Sequence, residues 1–175
     1  PAMSGGYAIG PDGVLVRPAE FAADTYTKPE LPEEAKEKTE RGAEAAAEHY
    51  LALLVYAWNT GDTQPLADMS SPTSKFASDY INDVNEQYAN GWSYGMESNI
   101  THVLRVEPIA ANGDDVPEGS ILVKFRTETD DGTSCTRTKL QSSSSTYKST
   151  VTFIMTWRDG GWKEVQGRTV GDNEG

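Results

Sequence analysis

Tyr56-Ala57-Trp58-Asn59-Thr60-Gly61-Asp62 ends a long helical pattern that begins at Pro32-Glu33-Glu34, and this pattern decides the fold. Proline suits the first position of a helix because its missing N–H would be unpaired there, and the two glutamates complement the positive helix end. Apolar residues then recur at three- and four-residue intervals, at Ala43, Ala47, Tyr50, Leu54 and Ala57. Gly61 supplies the left-handed residue that ends the helix, and Asp62 is placed to cap a further turn over residues 63–69.

A second helix and a set of strands follow. Ser71 is the predicted N-cap and Pro72 the first residue of a helix that Gly91 ends. After Gly91 the apolar period changes to two, over residues 100–107, 121–128 and 151–158. Asp159-Gly160-Gly161 predicts a tight hairpin after the last of these runs. Helices followed by antiparallel strands with one buried face predict an α+β fold.

The charge balance bears on partners. The chain carries 27 acidic and 15 basic residues, for a net charge of −12. Such a field repels phosphate backbones, so we expect no nucleic-acid partner. Cys135 is the single cysteine, which excludes an intrachain disulfide and a thiol-based metal site. No window reaches the roughly 18–20 apolar residues of a membrane span. A lipid anchor in a removed upstream segment is therefore the only membrane attachment that we expect.

The chain divides into a leader and a domain. Glycines and prolines interrupt any period before Pro32, and this predicts a flexible N-terminal tether over residues 1–31. The apolar Val14-Leu15-Val16 leaves an alternative open, in which the leader adds a short strand or clips onto the domain surface. Residues 32–172 are predicted to form a single α+β domain.

Two segments carry a resemblance to a known fold. They are Tyr50 to Leu66, which includes Asn59-Thr60-Gly61-Asp62, and Trp157-Arg158-Asp159-Gly160-Gly161-Trp162. This plan resembles the nuclear-transport-factor-2-like fold, the cystatin-like α+β cone also found in SnoaL-like and ketosteroid-isomerase-like proteins. The resemblance implies N-terminal helices packed on a strongly curved antiparallel sheet, with a pocket inside. It also implies a homodimer through the sheet face.

A narrower resemblance concerns location. Residues 29–35, Thr60-Gly61-Asp62 and Ser70-Ser71-Pro72 resemble an uncharacterised family of actinobacterial lipoproteins. Members of that family have a signal sequence, a lipid-modified cysteine and a tether before one such domain. The resemblance implies an extracytoplasmic protein, in the cell envelope or secreted. The family often has two cysteines shortly after the Ser-Pro, whereas Ser74 and Ala77 stand here, so that a local disulfide is absent.

Candidate site residues are the aromatic and histidine side chains predicted to face the cone cavity. His102 shares the alternation of Ile100 and Leu104, so its imidazole is placed to act as a general base, or to serve as a core or rim histidine. The predicted cavity residues are Tyr50, Trp58, Tyr80, Trp92, His102, Phe125 and Phe153. No inward position of the three counted strands carries Asp or Glu, which argues against a catalytic carboxylate–tyrosine pair.

These observations lead to a functional expectation. His49 and His102 are the only histidines and form no His-x-x-x-His motif, so we predict no metal, no cofactor and no catalytic residue. We expect a non-enzymatic binding or interaction module whose partner is a small molecule or a cell-surface protein. The alternative is a small-molecule isomerase or hydrolase that uses the same cavity, with His102 and a tyrosine taking part.

Overall fold

A computed structural model of the chain describes residues 5–113 and 115–172. The helices are α1 (Glu40–Thr60), α2 (Gln64–Asp68) and α3 (Lys75–Asn90). The strands are β1 (Gly91–Tyr94), β2 (Glu97–Pro108), β3 (Ile121–Asp130), β4 (Thr133–Thr136), β5 (Lys139–Ser142), β6 (Tyr147–Arg158) and β7 (Gly161–Gly171). The α+β class predicted from the change of apolar period is confirmed.

Helix α1 begins later than its sequence pattern predicts. Residues Glu33–Lys36 form a separate 3-10 helix, and Thr39 caps α1 by accepting a hydrogen bond from the Gly42 amide (2.9 Å). The chain turns at Glu37, whose carbonyl oxygen accepts a hydrogen bond from the Trp162 indole (2.7 Å). A Cβ at position 42 would lie 1.9 Å from that same oxygen, so only glycine fits where the chain folds back.

The ends of the other helices follow from local capping. Gly61 (φ 80°) ends α1 in the left-handed conformation, and Asp62 accepts a hydrogen bond from the Gln64 amide (3.2 Å), as predicted. The predicted cap of α3 is wrong, because Ser74 rather than Ser71 accepts the hydrogen bond of the first turn, from Ala77 (3.1 Å). The Ser71 amide instead donates to a carbonyl oxygen of β7 (2.7 Å).

Two antiparallel sheets support the helices. The larger has the order β2-β3-β6-β7 and the smaller has the order β1-β4-β5. The predicted hairpin between β6 and β7 is present, with Asp159 (φ 54°) and Gly160 (φ 78°) both in the left-handed region that a type I′ turn requires. The serines after β5 form a loop that leads into β6.

The core lies between α1 and the inner face of the larger sheet. Ala43, Ala46 and Ala47 of α1 are wholly buried, and their small side chains let the helix approach the sheet closely. Val123, Phe125, Phe153 and Met155 fill the facing layer. Burying a large apolar side chain contributes about 1.5–3 kcal/mol, so this layer supplies much of the stability of the domain.

The leader lies against the domain over its described part, residues 5–31. Leu15 is buried with Trp92, Tyr94 and Cys135 in a second apolar cluster. Its amide donates to the Arg137 carbonyl (2.8 Å), and its carbonyl accepts from the Trp92 indole (2.7 Å). This corrects the prediction of a flexible tether over residues 1–31, because the leader clips onto the small sheet at Leu15. Residues 1–4 of that prediction lie outside the described residues.

Candidate functional site

Helices α1 and α3, the β3–β4 turn and the smaller sheet line a cavity of about 390 Å³, which we name the mouth cavity. Helix α1 contributes an aromatic ring, α3 contributes a second, and the β1–β2 connection contributes a methionine. The β3–β4 turn and strands β4 and β5 supply polar groups. The lining residues are Trp58, Tyr80, Met96, Asp131, Gly132, Ser134, Gln141, Ser142 and Ser143. The volume lies within the usual range of small-molecule pockets.

The aromatic wall formed by Tyr80 is fixed by a hydrogen bond. The Tyr80 hydroxyl donates to the carbonyl oxygen of Leu54 in α1 (2.7 Å). Burial, followed by the neighbouring Tyr147 and Asp131, raises the pKa of Tyr80 well above its usual value. The phenol therefore stays protonated at neutral pH, and its ring serves as a rigid apolar surface.

The carboxylate of Asp131 is held at the rim of the mouth cavity. The Tyr147 hydroxyl donates to Asp131 Oδ1 (2.8 Å). Burial, the hydrogen bond to Asp131 and the charge of that carboxylate raise the pKa of Tyr147. The Gly132 amide closes the turn by donating to Asp130 Oδ1 (2.8 Å). The Gly132 carbonyl accepts a hydrogen bond from the Ser143 amide (2.8 Å). The end of β3, the loop after β5 and Tyr147 of β6 therefore fix the position of Asp131 jointly.

Asn59, in the segment that decided the fold, positions the methionine of the cavity. Its side chain is almost fully buried and makes two hydrogen bonds to the Met96 backbone. The amide Nδ2 donates to the Met96 carbonyl (3.0 Å), and Oδ1 accepts from the Met96 amide (2.9 Å). This pair ties the end of α1 to the β1–β2 connection and holds one wall of the mouth cavity.

Two of the seven predicted cavity residues, Trp58 and Tyr80, lie at the mouth cavity. Three others, Tyr50, Phe125 and Phe153, are wholly buried in the core, so the prediction that they line open space is corrected. Their rings pack edge to face, with centroids 5.0 Å apart for Tyr50 and Phe153 and 5.8 Å apart for Phe125 and Phe153. The interior that they were predicted to line is filled by their own side chains.

Trp92 lies in the second apolar cluster, against the leader. Its indole N–H donates to the Leu15 carbonyl (2.7 Å), and its ring packs against Tyr94 with centroids 5.6 Å apart. It is buried against Leu15 of the leader, which the sequence predicts to be a flexible tether. Its prediction as a cavity residue is corrected for this reason.

His102 is exposed on the outer face of the larger sheet, which contradicts its prediction as an inward cavity residue. Strand β2 carries a bulge in which Ile100 pairs with Thr127 and His102 pairs with Arg126, so Thr101 is the extra residue. Because Arg126 faces outward, His102 faces outward with it. Its Nδ1 lies 3.1 Å from the Thr101 hydroxyl.

A second bulge follows on the same strand. Val103 pairs with Phe125 and Arg105 pairs with Lys124, which leaves Leu104 as the extra residue. Val106 then returns to the inner face opposite Val123. The strict alternation assumed for residues 100–107 therefore fails between the two bulges and holds again after them.

Glu164 is a buried carboxylate that sequence reasoning missed. It lies on β7, fully buried, where Oε2 accepts from the Ser74 hydroxyl (2.8 Å) and Oε1 from the Tyr50 hydroxyl (3.1 Å). Burial raises the pKa of Glu164, and the hydrogen bonds from Ser74 and Tyr50 oppose that rise. The sequence signal for this inward carboxylate is its alternation with Trp162 about Lys163 in the last strand. Both members of the Tyr50–Glu164 pair are sealed from solvent, so a substrate has no access to them in this conformation.

A second cleft, of about 730 Å³, separates the end of the leader from α1 and α2. His49 lies in it, and burial together with the charge of Lys28 lowers the pKa of His49. Lysines and glutamates of both signs rim this cleft, among them Lys28, Glu30 and Lys36. The mouth cavity is the stronger candidate because two aromatic rings and a methionine line it beside a single charged side chain, Asp131.

Comparison with known proteins identifies the family. The family described as "Family of unknown function (DUF6318)" matches residues 19–167. The chain belongs to this family. The match runs from a short 3-10 helix of the leader (Ala19–Phe21) into β7, so it includes every residue that lines the mouth cavity but not Leu15. No curated protein matches this DUF6318 chain.

Solved structures share the fold of this DUF6318 protein. The intermembrane-space region of the chloroplast protein ARC6 is 12% identical, with 77% of this chain and 98% of that one covered and a TM-score of 0.53. A Xanthomonas campestris protein assigned as a calcium/calmodulin-dependent protein kinase II association domain is 16% identical, with 86% and 97% covered and a TM-score of 0.51. An uncharacterised Caulobacter vibrioides protein with a cystatin-like fold is 13% identical, with 74% and 89% covered and a TM-score of 0.48.

At these identities the likeness concerns the fold alone. The predicted α+β fold class, with N-terminal helices packed on antiparallel strands, is confirmed. Among the helices of residues 5–113 and 115–172, none combines the length and apolar character needed to cross a membrane. Within the same residues, no three His, Cys, Asp or Glu side chains are grouped so that they could hold a metal ion.

Proposed function

We propose that this DUF6318 protein is a non-enzymatic binding module and that the mouth cavity is its ligand site. The observation that carries the proposal is the combination of two aromatic walls, Trp58 and Tyr80, with the rim carboxylate Asp131. Apolar surface binds the body of a ligand, and a few polar groups fix its orientation.

Preorganisation of the walls supports the same proposal. Tyr80 is held by α1, Asp131 by Tyr147, and Met96 by Asn59. Groups that are already ordered lose little conformational entropy when a ligand binds, so the entropic cost of binding is smaller and the affinity is higher. The contacts that hold these walls are therefore as important to the site as the walls themselves.

Native mass spectrometry of protein purified gently from its own host tests the binding proposal. We expect an extra mass of a few hundred daltons that is lost on denaturation. Ser142→Trp places a large ring in the mouth cavity and should abolish the extra mass. Ser144→Trp, on the exposed loop two residues later, is the matched control and should retain it. An extra mass that survives Ser142→Trp, or none in the wild-type protein, would contradict the proposal.

We also propose an extracytoplasmic location, with a lipid anchor in the precursor. Residues 29–35 and Ser70-Ser71-Pro72 support it through their resemblance to actinobacterial lipoproteins. Labelling host cells with a palmitate analogue should tag this protein in the envelope fraction. An untagged protein found only in the cytosol would refute this part of the proposal.

The alternative of an isomerase or hydrolase has a different candidate base. Since His102 lies on the outer face, Asp131 is the carboxylate that a substrate in the mouth cavity would meet, with Tyr147 donating a hydrogen bond to it. Under this alternative, Asp131→Asn would abolish turnover of a small carbonyl substrate while His102→Ala would not. A substrate panel without any turnover by the wild-type protein would count against it.

A homodimer through the outer sheet face stays a prediction, and the charges on that face give it a test. One row across the four strands carries Arg105, Lys124, Thr152 and Arg168. Two-fold pairing of this face would bring like charges together, and salt screens such repulsion. Light scattering should then show a dimer fraction that rises with sodium chloride concentration, and a monomer at every concentration would refute the dimer.

A further inference from the structure

We infer that the mouth cavity selects a small organic cation, an ammonium compound with an apolar body. This inference rests on the proposed function, because it names the class of ligand for the same site. It follows from the charge, the walls and the surroundings of the cavity, taken together.

The charge of the lining is one-sided. Among the nine described residues that line the mouth cavity, Asp131 is the only one with a charged side chain. Tyr147 donates one hydrogen bond to Asp131 Oδ1, whereas a carboxylate offers about four lone-pair positions. An anionic ligand would meet this carboxylate without a compensating cation. A cationic ligand would gain a charge-assisted hydrogen bond or an ion pair.

The walls suit the same ligand. A cation placed over the face of an aromatic ring is attracted by the ring quadrupole, and tryptophan is the strongest such partner. Trp58 and Tyr80 both line the mouth cavity, and the Tyr80 hydroxyl is held by the Leu54 carbonyl. The polarizable thioether of Met96 adds a further surface that accepts methyl groups.

The surroundings add to the preference. The carboxylates of Asp131 and Asp83 both act on Tyr80, where they favour the protonated phenol and hence disfavour negative charge. The whole chain carries a net charge of −12, which raises the local concentration of cations. The serines and Gln141 on the β4–β5 side can accept or donate hydrogen bonds to a hydroxyl or amide on the ligand.

Calorimetry at an ionic strength of about 0.15 M, where charges more than roughly 8 Å apart are largely screened, tests the inference with two matched probes. Choline carries a trimethylammonium group, and 3,3-dimethylbutan-1-ol is its uncharged isostere. We expect choline to bind at least about tenfold more tightly than the neutral isostere, as a charge-assisted contact and a cation–π contact together imply. Asp131→Asn keeps the acceptor for Tyr147 and should weaken choline binding at least about tenfold.

A second substitution separates a local contact from the general field. Asp159→Asn makes the same change in net charge on the β6–β7 hairpin, in the left-handed conformation that asparagine tolerates. It should change choline affinity less than about twofold, since surface charges at a distance are screened. If Asp159→Asn and Asp131→Asn weaken binding equally, only the field attracts the cation, and the inference is overturned.

The remaining outcomes distinguish this inference from the proposed function. Equal binding of choline and its neutral isostere, lost in Ser142→Trp, would overturn the cation preference and leave the cavity as a ligand site. If choline does not bind but Ser142→Trp removes a co-purified mass, the cation preference is overturned and the cavity is still a ligand site. No choline binding and no co-purified mass would overturn both.

Discussion

Replacing Glu164 with glutamine should stabilise the protein at pH 8 and leave its stability nearly unchanged at pH 4. Burial raises the pKa of this carboxyl group in the folded protein, and the hydrogen bonds from Ser74 and Tyr50 only partly oppose the rise. The folded chain therefore binds this proton more tightly than the unfolded chain does, and protonation stabilises the fold. That contribution is complete below the unfolded value of 4.5 and is lost as pH rises through the folded pKa.

The magnitude follows from the surroundings of the carboxylate. Glu164 is fully buried, and its two hydrogen bonds of 2.8 and 3.1 Å come from the neutral hydroxyls of Ser74 and Tyr50. An incompletely compensated buried polar group costs roughly 1–3 kcal/mol, and more when it is charged. Glutamine has the same shape and no charge, so we expect a gain of about 1–3 kcal/mol at pH 8. Alanine leaves a cavity and removes both bonds, and should cost roughly 2–4 kcal/mol at pH 4.

Urea unfolding followed by tryptophan fluorescence, repeated between pH 4 and pH 8, measures these differences. The free energy of unfolding of Glu164→Gln minus that of the wild type should rise with pH. Glu118→Gln, at an exposed turn, is the control and should follow the wild-type profile. A difference that is constant with pH, or that falls as pH rises, would refute the reasoning, because it would mean that the folded protein prefers the ionised carboxylate.

Three further predictions concern the leader, the outer face and the thiol. Leu15→Ala should lower the free energy of unfolding by about 2–4 kcal/mol, because a buried side chain is lost. Val16 is half-exposed, so Val16→Ala should change the free energy of unfolding by less than about 0.5 kcal/mol. Equal effects of the two substitutions in urea titrations would mean that Leu15 does not hold the leader on the domain. His102→Ala should leave melting temperature and ligand affinity unchanged, and a large loss of either would place the imidazole at a site. Burial raises the pKa of Cys135, so a thiol reagent should label it only as fast as the chain opens, and immediate labelling of the folded protein would contradict its position.

Local patterns were sufficient for the elements whose ends are set by short-range chemistry. The end of α1 at Gly61 and the hairpin at Asp159 and Gly160 were predicted because a left-handed residue leaves a sequence signal. The start of α3 was not, because Ser71 and Ser74 are equally good caps. Glu164 decides between them. Its backbone carbonyl accepts a hydrogen bond from the Ser71 amide, and its carboxylate accepts one from the Ser74 hydroxyl.

The candidate site was less accessible to sequence reasoning. Trp58 and Tyr80 could be assigned to a cavity because they share the helical stripes that face the sheet. Asp131 lies in a turn, where polar residues are common, and nothing in the sequence shows that the turn folds over the end of α1. The interior aromatics were misplaced because a stripe that faces a cone does not reveal whether the cone is filled. Glu164 lies on β7, after the hairpin, and the three alternating runs of the sequence do not reach it.

The two bulges of β2 bear on how related chains should be aligned. Between Ile100 and Val106, seven residues of β2 face the five residues from Val123 to Thr127. Deleting Thr101 or Leu104 removes a residue without a partner across the ladder, so every other pair can stay in place. Family members should therefore vary in length at these two positions. An alignment that puts the gap elsewhere in β2 would assign the wrong side chains to the interior.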